Sequence, residues 1–242
     1  DLHAGQAQKT GEYQQGIARL DDHRGAPTMV ADYLQGVLAC QAAGARSSYP
    51  GSPWLGVRQL RPQDRAVFMD VQHAECTSLR HHFKDDARVS VHERSAYEGL
   101  KALIPPKEKR GLVLIDPPYE DKDDYRKVKA VIDDAQKRFA GGTYAVWYPA
   151  LGRLESQQLP ERLKRVAQSD WLHVTLTVGA PGSEGHGLVG SGMFIINPPW
   201  TLEATLKDTM PWLTEVLARD GSARFTLQSG AAAKPRDKAE RE

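Results

Sequence analysis

The spacing of apolar residues changes several times along the chain, and each change predicts an element. Met29, Val30, Tyr33, Leu34, Val37 and Leu38 recur at steps of one, three and four, which predicts a helix from Pro27 to Ala43 with one buried stripe. Upstream, Thr10 reads as an N-cap with Glu12 in the first turn, leading to Ile17 and Leu20. Tyr49-Pro50-Gly51-Ser52-Pro53 breaks the run as a turn, with Pro53 opening a helix that continues from Trp54 to Leu60. The stretch from Thr10 to Arg61 is therefore all helical.

Beyond Arg61 strands and helices alternate. Ala66 to Met69 reads as a strand ending in Asp70, Ala74 to Phe83 as a helix, and Arg88 to Val91 as a strand. Gly111 to Ile115 and Thr143 to Trp147 are strands flanking a charged helix, Asp121 to Phe139, whose buried side is Val128, Val131, Ile132 and Ala135. Its acids sit in the first turn and Lys137-Arg138 in the last, which suits the helix dipole. Trp171 to Val178, a glycine-rich loop to Gly187, and Gly192 to Ile196 read as an antiparallel pair, followed by a helix, Leu202 to Leu217, and a strand, Ala223 to Leu227. Such alternation predicts an α/β fold. Ala231 to Glu242 is polar and aperiodic, and reads as a disordered tail.

The densest chemistry lies in Gly111-Leu112-Val113-Leu114-Ile115-Asp116-Pro117-Pro118-Tyr119. Five residues without a polar side chain run into an acid, two prolines and an aromatic, as in a buried parallel strand that delivers polar groups at its C-terminal end. Open α/β sheets bind ligands at that end. The arrangement suits methyl transfer to a planar exocyclic amine, whose lone pair is delocalised until acceptors draw on its hydrogens. The Asp116 carboxylate and the Pro117 carbonyl supply two acceptors, and the tandem prolines fix φ and so hold that carbonyl in place. Tyr119 offers a ring on which an extruded base would stack. The plainer reading is an Asp-Pro turn with Tyr119 as packing.

Asp116-Pro117-Pro118-Tyr119 after such a strand resembles the catalytic motif of amino-methyltransferases. The resemblance narrows with Asp1-Leu2-His3-Ala4-Gly5, Thr10-Gly11-Glu12-Tyr13, Tyr49-Pro50-Gly51-Ser52-Pro53, Trp147-Tyr148-Pro149, Ser191-Gly192-Met193 and Asn197-Pro198-Pro199-Trp200. In this order they resemble the bacterial 23S (large-subunit) ribosomal RNA adenine-N6 methyltransferase family, up to about Ser229. The resemblance implies a Rossmann-like class I S-adenosylmethionine-dependent methyltransferase, one domain over residues 1–230, with a helical insertion at about 8–61 after the first strand. It implies that His3, Gly5, Ser52, Asp70, Ser95, Ala96 and Asp116 line the S-adenosyl-L-methionine site, and that Asp116, Pro117 and Tyr119 carry the catalysis. Asp70 would accept from the ribose hydroxyls, and Ser95-Ala96, where the family has Asp-Gly, would meet the adenine.

The comparison also implies that the first strand and an N-terminal segment precede Asp1, so that residues 1–242 alone are expected to show weak or no turnover. Gly5-Gln6-Ala7 departs from the family's Gly-Ala-Gly, which bears on cofactor affinity. Asn197-Pro198-Pro199-Trp200 is a second copy of the motif type. Its place after the last paired strand argues that it shapes the substrate side or the fold instead.

Composition trims the remaining classes. The net charge is +1, so contact with RNA requires a local basic patch, for which Arg153, Arg162, Lys164 and Arg165 are candidates and a solvated helix face the alternative. Only Cys40 and Cys76 are present, which argues against a disulfide framework or zinc site, and His81, His82 and His92 have no ligand spacing. No apolar run reaches membrane-spanning length. The expected protein is a cytoplasmic monomer without a metal, acting on 23S ribosomal RNA that is protein-free or early in assembly. The rival readings are a DNA amino-methyltransferase and a non-catalytic nucleic-acid-binding protein that keeps the fold.

Overall fold

The computed structural model describes residues 12–20, 25–44, 49–180 and 188–233. They fall into two compact units, Asp1–Ala102 and Leu103–Glu242. His3 and Gly5 lie outside the described residues, as do residues 181–187 of the glycine-rich loop and residues 234–242 of the tail.

The first unit begins with helices: α1 (Glu12–Gln15), a 3₁₀ turn (Ile17–Arg19), α2 (Thr28–Ala43) and α3 (Ser52–Arg58). Val30 and Val37 of the predicted stripe are buried, whereas Leu38 is exposed. Gly36 lets α3 come close, because a Cβ there would lie 3.0 Å from the Leu55 side chain. Strands β1 (Ala66–Asp70) and β2 (Val89–Glu93) form a parallel pair in the register Ala66↔Val89 to Asp70↔Glu93. Helix α4 (His73–His82) connects them and buries Cys76, whose thiol donates toward the Asp70 carbonyl at 3.5 Å. Arg88 anchors the start of β2 by donating to the Leu60 carbonyl at 2.8 Å and pairing with Asp86 at 2.7 Å. Helix α5 (Ala96–Leu103) follows β2, and Gly99 is where it crosses the Met69 side chain most closely.

The second unit is a five-stranded mixed sheet. It comprises β3 (Leu112–Ile115), β4 (Thr143–Pro149), β5 (Trp171–Thr177), β6 (Gly190–Ile196) and β7 (Arg224–Gly230), in the order β3-β4-β6-β5-β7. Only β3 and β4 run parallel; the other pairings are antiparallel. Helix α6 (Lys122–Arg138) is capped by the Asp121 carboxylate, which accepts from the Asp123 N–H at 2.8 Å. Tyr125, Val128, Val131, Ile132 and Ala135 form its buried stripe. Its outer ion pairs, such as Lys137–Asp133 at 3.3 Å, are worth a few tenths of a kcal/mol each. Burying one Val or Ile stabilises by about 1.5–3 kcal/mol, so the stripe fixes the helix.

Helix α7 (Leu154–Lys164) packs beside α6, and a buried glutamine ties α6 to the segment that follows α7. Gln136 donates to the Val166 carbonyl at 3.0 Å and accepts from the Gln168 N–H at 2.7 Å, so neither end of its amide is left unpaired. Helix α8 (Leu202–Leu217) packs on β5 and β7. Ala233, within the predicted tail, still donates to the Ala167 carbonyl at 2.8 Å.

One expectation is corrected here. The Gly111–Ile115 segment is parallel to its neighbour but is not buried: Leu112 is 67% and Leu114 49% exposed. Among the described residues β3 has β4 as its one neighbour and lies at the sheet edge, so its hydrophobic run is covered on one side only.

Candidate active site

Strand β3 ends at Ile115, opposite Val146 of the longer β4, and the polar motif begins one residue past β3. Asp116 is exposed, and among the described residues its carboxylate has no hydrogen-bond or ion-pair partner. Neighbouring protein atoms still remove part of its hydration, which raises its pKa above the ordinary carboxylate range. No backbone N–H among the described residues donates to the Pro117 carbonyl. The two acceptors predicted from the sequence are thus adjacent in the chain and both uncommitted.

Tyr119 departs from its expected part. It adopts φ +55°, and its ring is only 1% exposed, packed against Tyr125 with centroids 4.6 Å apart and against Trp147 at 6.4 Å. Its hydroxyl donates to the Trp147 carbonyl at 2.7 Å. Apolar neighbours and a satisfied hydroxyl hold the ring inside, so it offers no open face for a base. Packing, the plainer sequence reading, describes it correctly. The left-handed turn at Tyr119 is held from outside as well, because Arg153 Nη1 donates to its carbonyl at 3.2 Å.

That contact also changes the reading of the basic cluster. Arg153 is engaged with the motif, Arg162 donates to Gln158 at 2.6 Å, and Lys164 is bound to Glu161 at 2.7 Å and Gln228 at 3.1 Å. Sequence reasoning had no signal for Arg153, since the pairing spans 34 positions.

The predicted nucleoside-binding residues gather in the first unit. Asp70 ends β1 opposite Glu93 of β2, and the Arg94 N–H donates to the Asp70 carbonyl at 2.8 Å, so Ser95 and Ala96 follow directly at the same edge. Asp70 Oδ1 accepts from the Gln72 N–H at 2.8 Å, while Oδ2 has no partner among the described residues. One free carboxylate oxygen at the end of β1 is an acceptor of the kind that a ribose hydroxyl requires. Beside it, Glu93 accepts from His73 at 3.0 Å and Arg80 at 3.4 Å, and its carboxyl is held below the ordinary range chiefly by the histidine bond. Ser52 is exposed at the start of α3. No group of His, Cys, Asp and Glu among the described residues is arranged to hold a metal.

The second Pro-Pro motif lies elsewhere. Because β6 is antiparallel to β4, Asn197 falls at the N-terminal end of β4, where its side chain donates to the Gly141 carbonyl at 3.2 Å and its carbonyl accepts from Thr143 at 2.8 Å. Four strand residues, about 13 Å, separate that level from Asp116. Of the two roles expected for it, the substrate side or the fold, these contacts are of the second kind, at the opposite end of the sheet.

A family model described as "Ribosomal RNA large subunit methyltransferase D, RlmJ" matches residues 1–228. The chain belongs to the RlmJ family. It is 40% identical over 228 residues to a Haemophilus influenzae protein named ribosomal RNA large subunit methyltransferase J, a match covering 94% of this chain and 81% of that protein. The Escherichia coli K12 protein of the same name is 36% identical over 236 residues, covering 94% and 84%. The crystal structure of a Legionella pneumophila protein of the DUF519 family superposes with a TM-score of 0.83 at 29% identity, over 95% of this chain and 84% of that one. An RlmJ-family chain is an α/β RNA methyltransferase with a Rossmann-like fold, and family membership implies a methyl donor. No helix among the described residues is long and apolar enough to cross a membrane.

Proposed function

We propose that the protein methylates the exocyclic N6 of an adenosine in 23S ribosomal RNA, using S-adenosyl-L-methionine. The observation that carries this reading is the pair of uncommitted acceptors, the Asp116 carboxylate and the Pro117 carbonyl, at the C-terminal edge of β3. Ser52, Asp70, Ser95 and Ala96, with His3 and Gly5, are assigned to the cofactor.

When bound, the cofactor supplies an electrophilic methyl carbon on a sulfonium. Asp116 and Pro117 each accept one N–H of the amine, which localises the nitrogen lone pair and directs it along the line of attack. As the N–C bond formed, the sulfonium S–C bond would break and leave a neutral thioether, and the amine, now cationic, would give up one proton. Asp116 is its acceptor, and a carboxylate whose pKa is already raised by desolvation is better matched to that task than an ordinary one. Tyr119 and Arg153 hold the turn that presents both acceptors, and no metal is needed in this scheme. The substrate is proposed to be protein-free RNA or an early assembly intermediate, and the protein a cytoplasmic monomer.

The deciding experiment offers the full-length protein labelled cofactor together with protein-stripped 23S RNA, assembled large subunits or duplex DNA. The expected product is N6-methyladenosine in the stripped RNA. Preferential labelling of DNA, or no labelling of any substrate, overturns the proposal.

A further inference from the structure

Trp200 is 93% exposed, the largest exposure of any big hydrophobic side chain among the described residues. Its support is rigid. Asn197, in the left-handed region at φ +52°, is fixed by its N–H to the Asp170 carbonyl at 2.8 Å and by its side chain to Gly141 at 3.2 Å. Pro198 and Pro199 then remove two φ rotations before the indole. An aromatic held out on such a stalk loses little conformational entropy on contact, which is how binding surfaces present Trp.

Beside it runs a groove of about 420 Å³, whose walls include Trp171, Leu172, Pro198 and Pro199 and whose side-chain charges are the carboxylates of Asp170 and Glu203. No lysine or arginine lines it. Asp170 is exposed and its carboxylate has no partner among the described residues, while Glu203 pairs with Lys207 at 2.7 Å. The unpaired Asp170 carboxylate repels a phosphate backbone and no basic side chain lines the groove to offset it, so the groove does not suit RNA. The Trp171 ring already carries the Lys164 ammonium, 4.8 Å from its centroid, but the open Trp200 face next to the Asp170 carboxylate suits a guanidinium or ammonium group, which gains from the ring quadrupole and the opposite charge together. We propose that this groove, at the end of the sheet opposite Asp116, docks an extended arginine- or lysine-rich polypeptide segment, with a cationic side chain laid against Trp200 and directed at Asp170. The site is independent of the methyl-transfer reading, since none of its residues belongs to that machinery.

The test is fluorescence anisotropy of the full-length protein with a fluorescein-labelled arginine-rich peptide, its glutamate-substituted counterpart, and a labelled single-stranded RNA. The arginine peptide is expected to bind and the glutamate peptide not. Trp200→Ala weakens binding by about tenfold or more, and Asp170→Asn lowers both affinity and its dependence on salt. Methyl transfer by both variants stays at the parent level, because neither residue touches the Asp116 loop. No binding of the arginine peptide overturns the proposal, as does an affinity unchanged in Trp200→Ala. Loss of RNA binding in Trp200→Ala with peptide binding retained overturns it in favour of a nucleic-acid surface.

Discussion

The hydroxyl of Tyr119 is 2.7 Å from the carbonyl oxygen of Trp147, one strand away, and donates to it from a ring that is almost wholly buried. The last residue of the motif is thus clamped to β4, and the loop carrying Asp116 and Pro117 is fixed at its far end. Tyr119→Phe keeps the ring and deletes one buried hydrogen bond, which costs about 1 kcal/mol. Tyr119→Ala also empties the space between Tyr125 and Trp147 and costs about 3–5 kcal/mol. Denaturant unfolding of both variants measures this. If Tyr119→Ala loses methyl transfer yet keeps the parent's stability, the ring acts on the substrate and the packing account is wrong.

Asp116 behaves in the opposite way. Its pKa is raised by desolvation, so the folded state takes up a proton more readily than the unfolded chain. The stability this provides is present in acid and is lost as pH rises through the folded pKa. Asp116→Asn has no carboxylate to desolvate. It is expected to be at least as stable as the parent at neutral pH, with the difference closing below the ordinary carboxylate pKa of about 3.9. Its methyl-transfer rate falls by on the order of a hundredfold or more, because an amide cannot accept the proton. Melting temperatures across pH and single-turnover rates test the two halves separately. A variant less stable at neutral pH assigns the carboxylate to the fold.

His173 sets an acid limit on the second unit. Its ring is 7% exposed, Nε2 lies 2.8 Å from the Tyr148 hydroxyl, and Phe194 packs against it. Burial, with the Lys164 ammonium nearby, depresses its pKa from 6.5 to about 4, partly opposed by Glu161. A depressed pKa means that the unfolded chain binds the proton first. Stability is therefore full above about pH 6.5 and is lost as pH falls toward 4, by a total on the order of 3 kcal/mol. His173→Gln can keep a bond to Tyr148 but does not titrate in this range. It is expected to have a flatter stability profile between pH 6.5 and 4; parallel profiles for parent and variant would exclude the imidazole as the source.

What the sequence discloses here follows from how local the physics is. Helix α6 was legible because the core of its buried stripe and its terminal charges lie within one stretch of chain, although Tyr125 and Gln136 also turn inward. Asp116 and Pro117 were legible because strand, acid and prolines are consecutive. For Tyr119 the sequence left two readings open, a stacking platform and packing, because what decides between them, Trp147 and Tyr125, arrives from β4 and α6. Arg153, placed among possible phosphate ligands, is claimed by a carbonyl 34 positions away.

The resemblance in Ser191-Gly192-Met193 has a steric cause that a single substitution exposes. Gly192 of β6 faces Tyr148 of β4 in register, and a Cβ built on it would lie 2.3 Å from Cζ and 2.4 Å from the hydroxyl oxygen of Tyr148, far inside contact distance. That ring cannot swing aside freely, since it is buried and its hydroxyl is bonded to His173. Gly192→Ala is therefore expected to cost about 1–3 kcal/mol through overpacking, despite alanine's lower backbone entropy loss. Pairing it with Tyr148→Phe tests the mechanism. Phenylalanine frees the ring from His173 and lets it shift, so the double variant loses less than the two single costs added together. Additive costs would place the strain in the backbone of β6 and not at the Tyr148 ring.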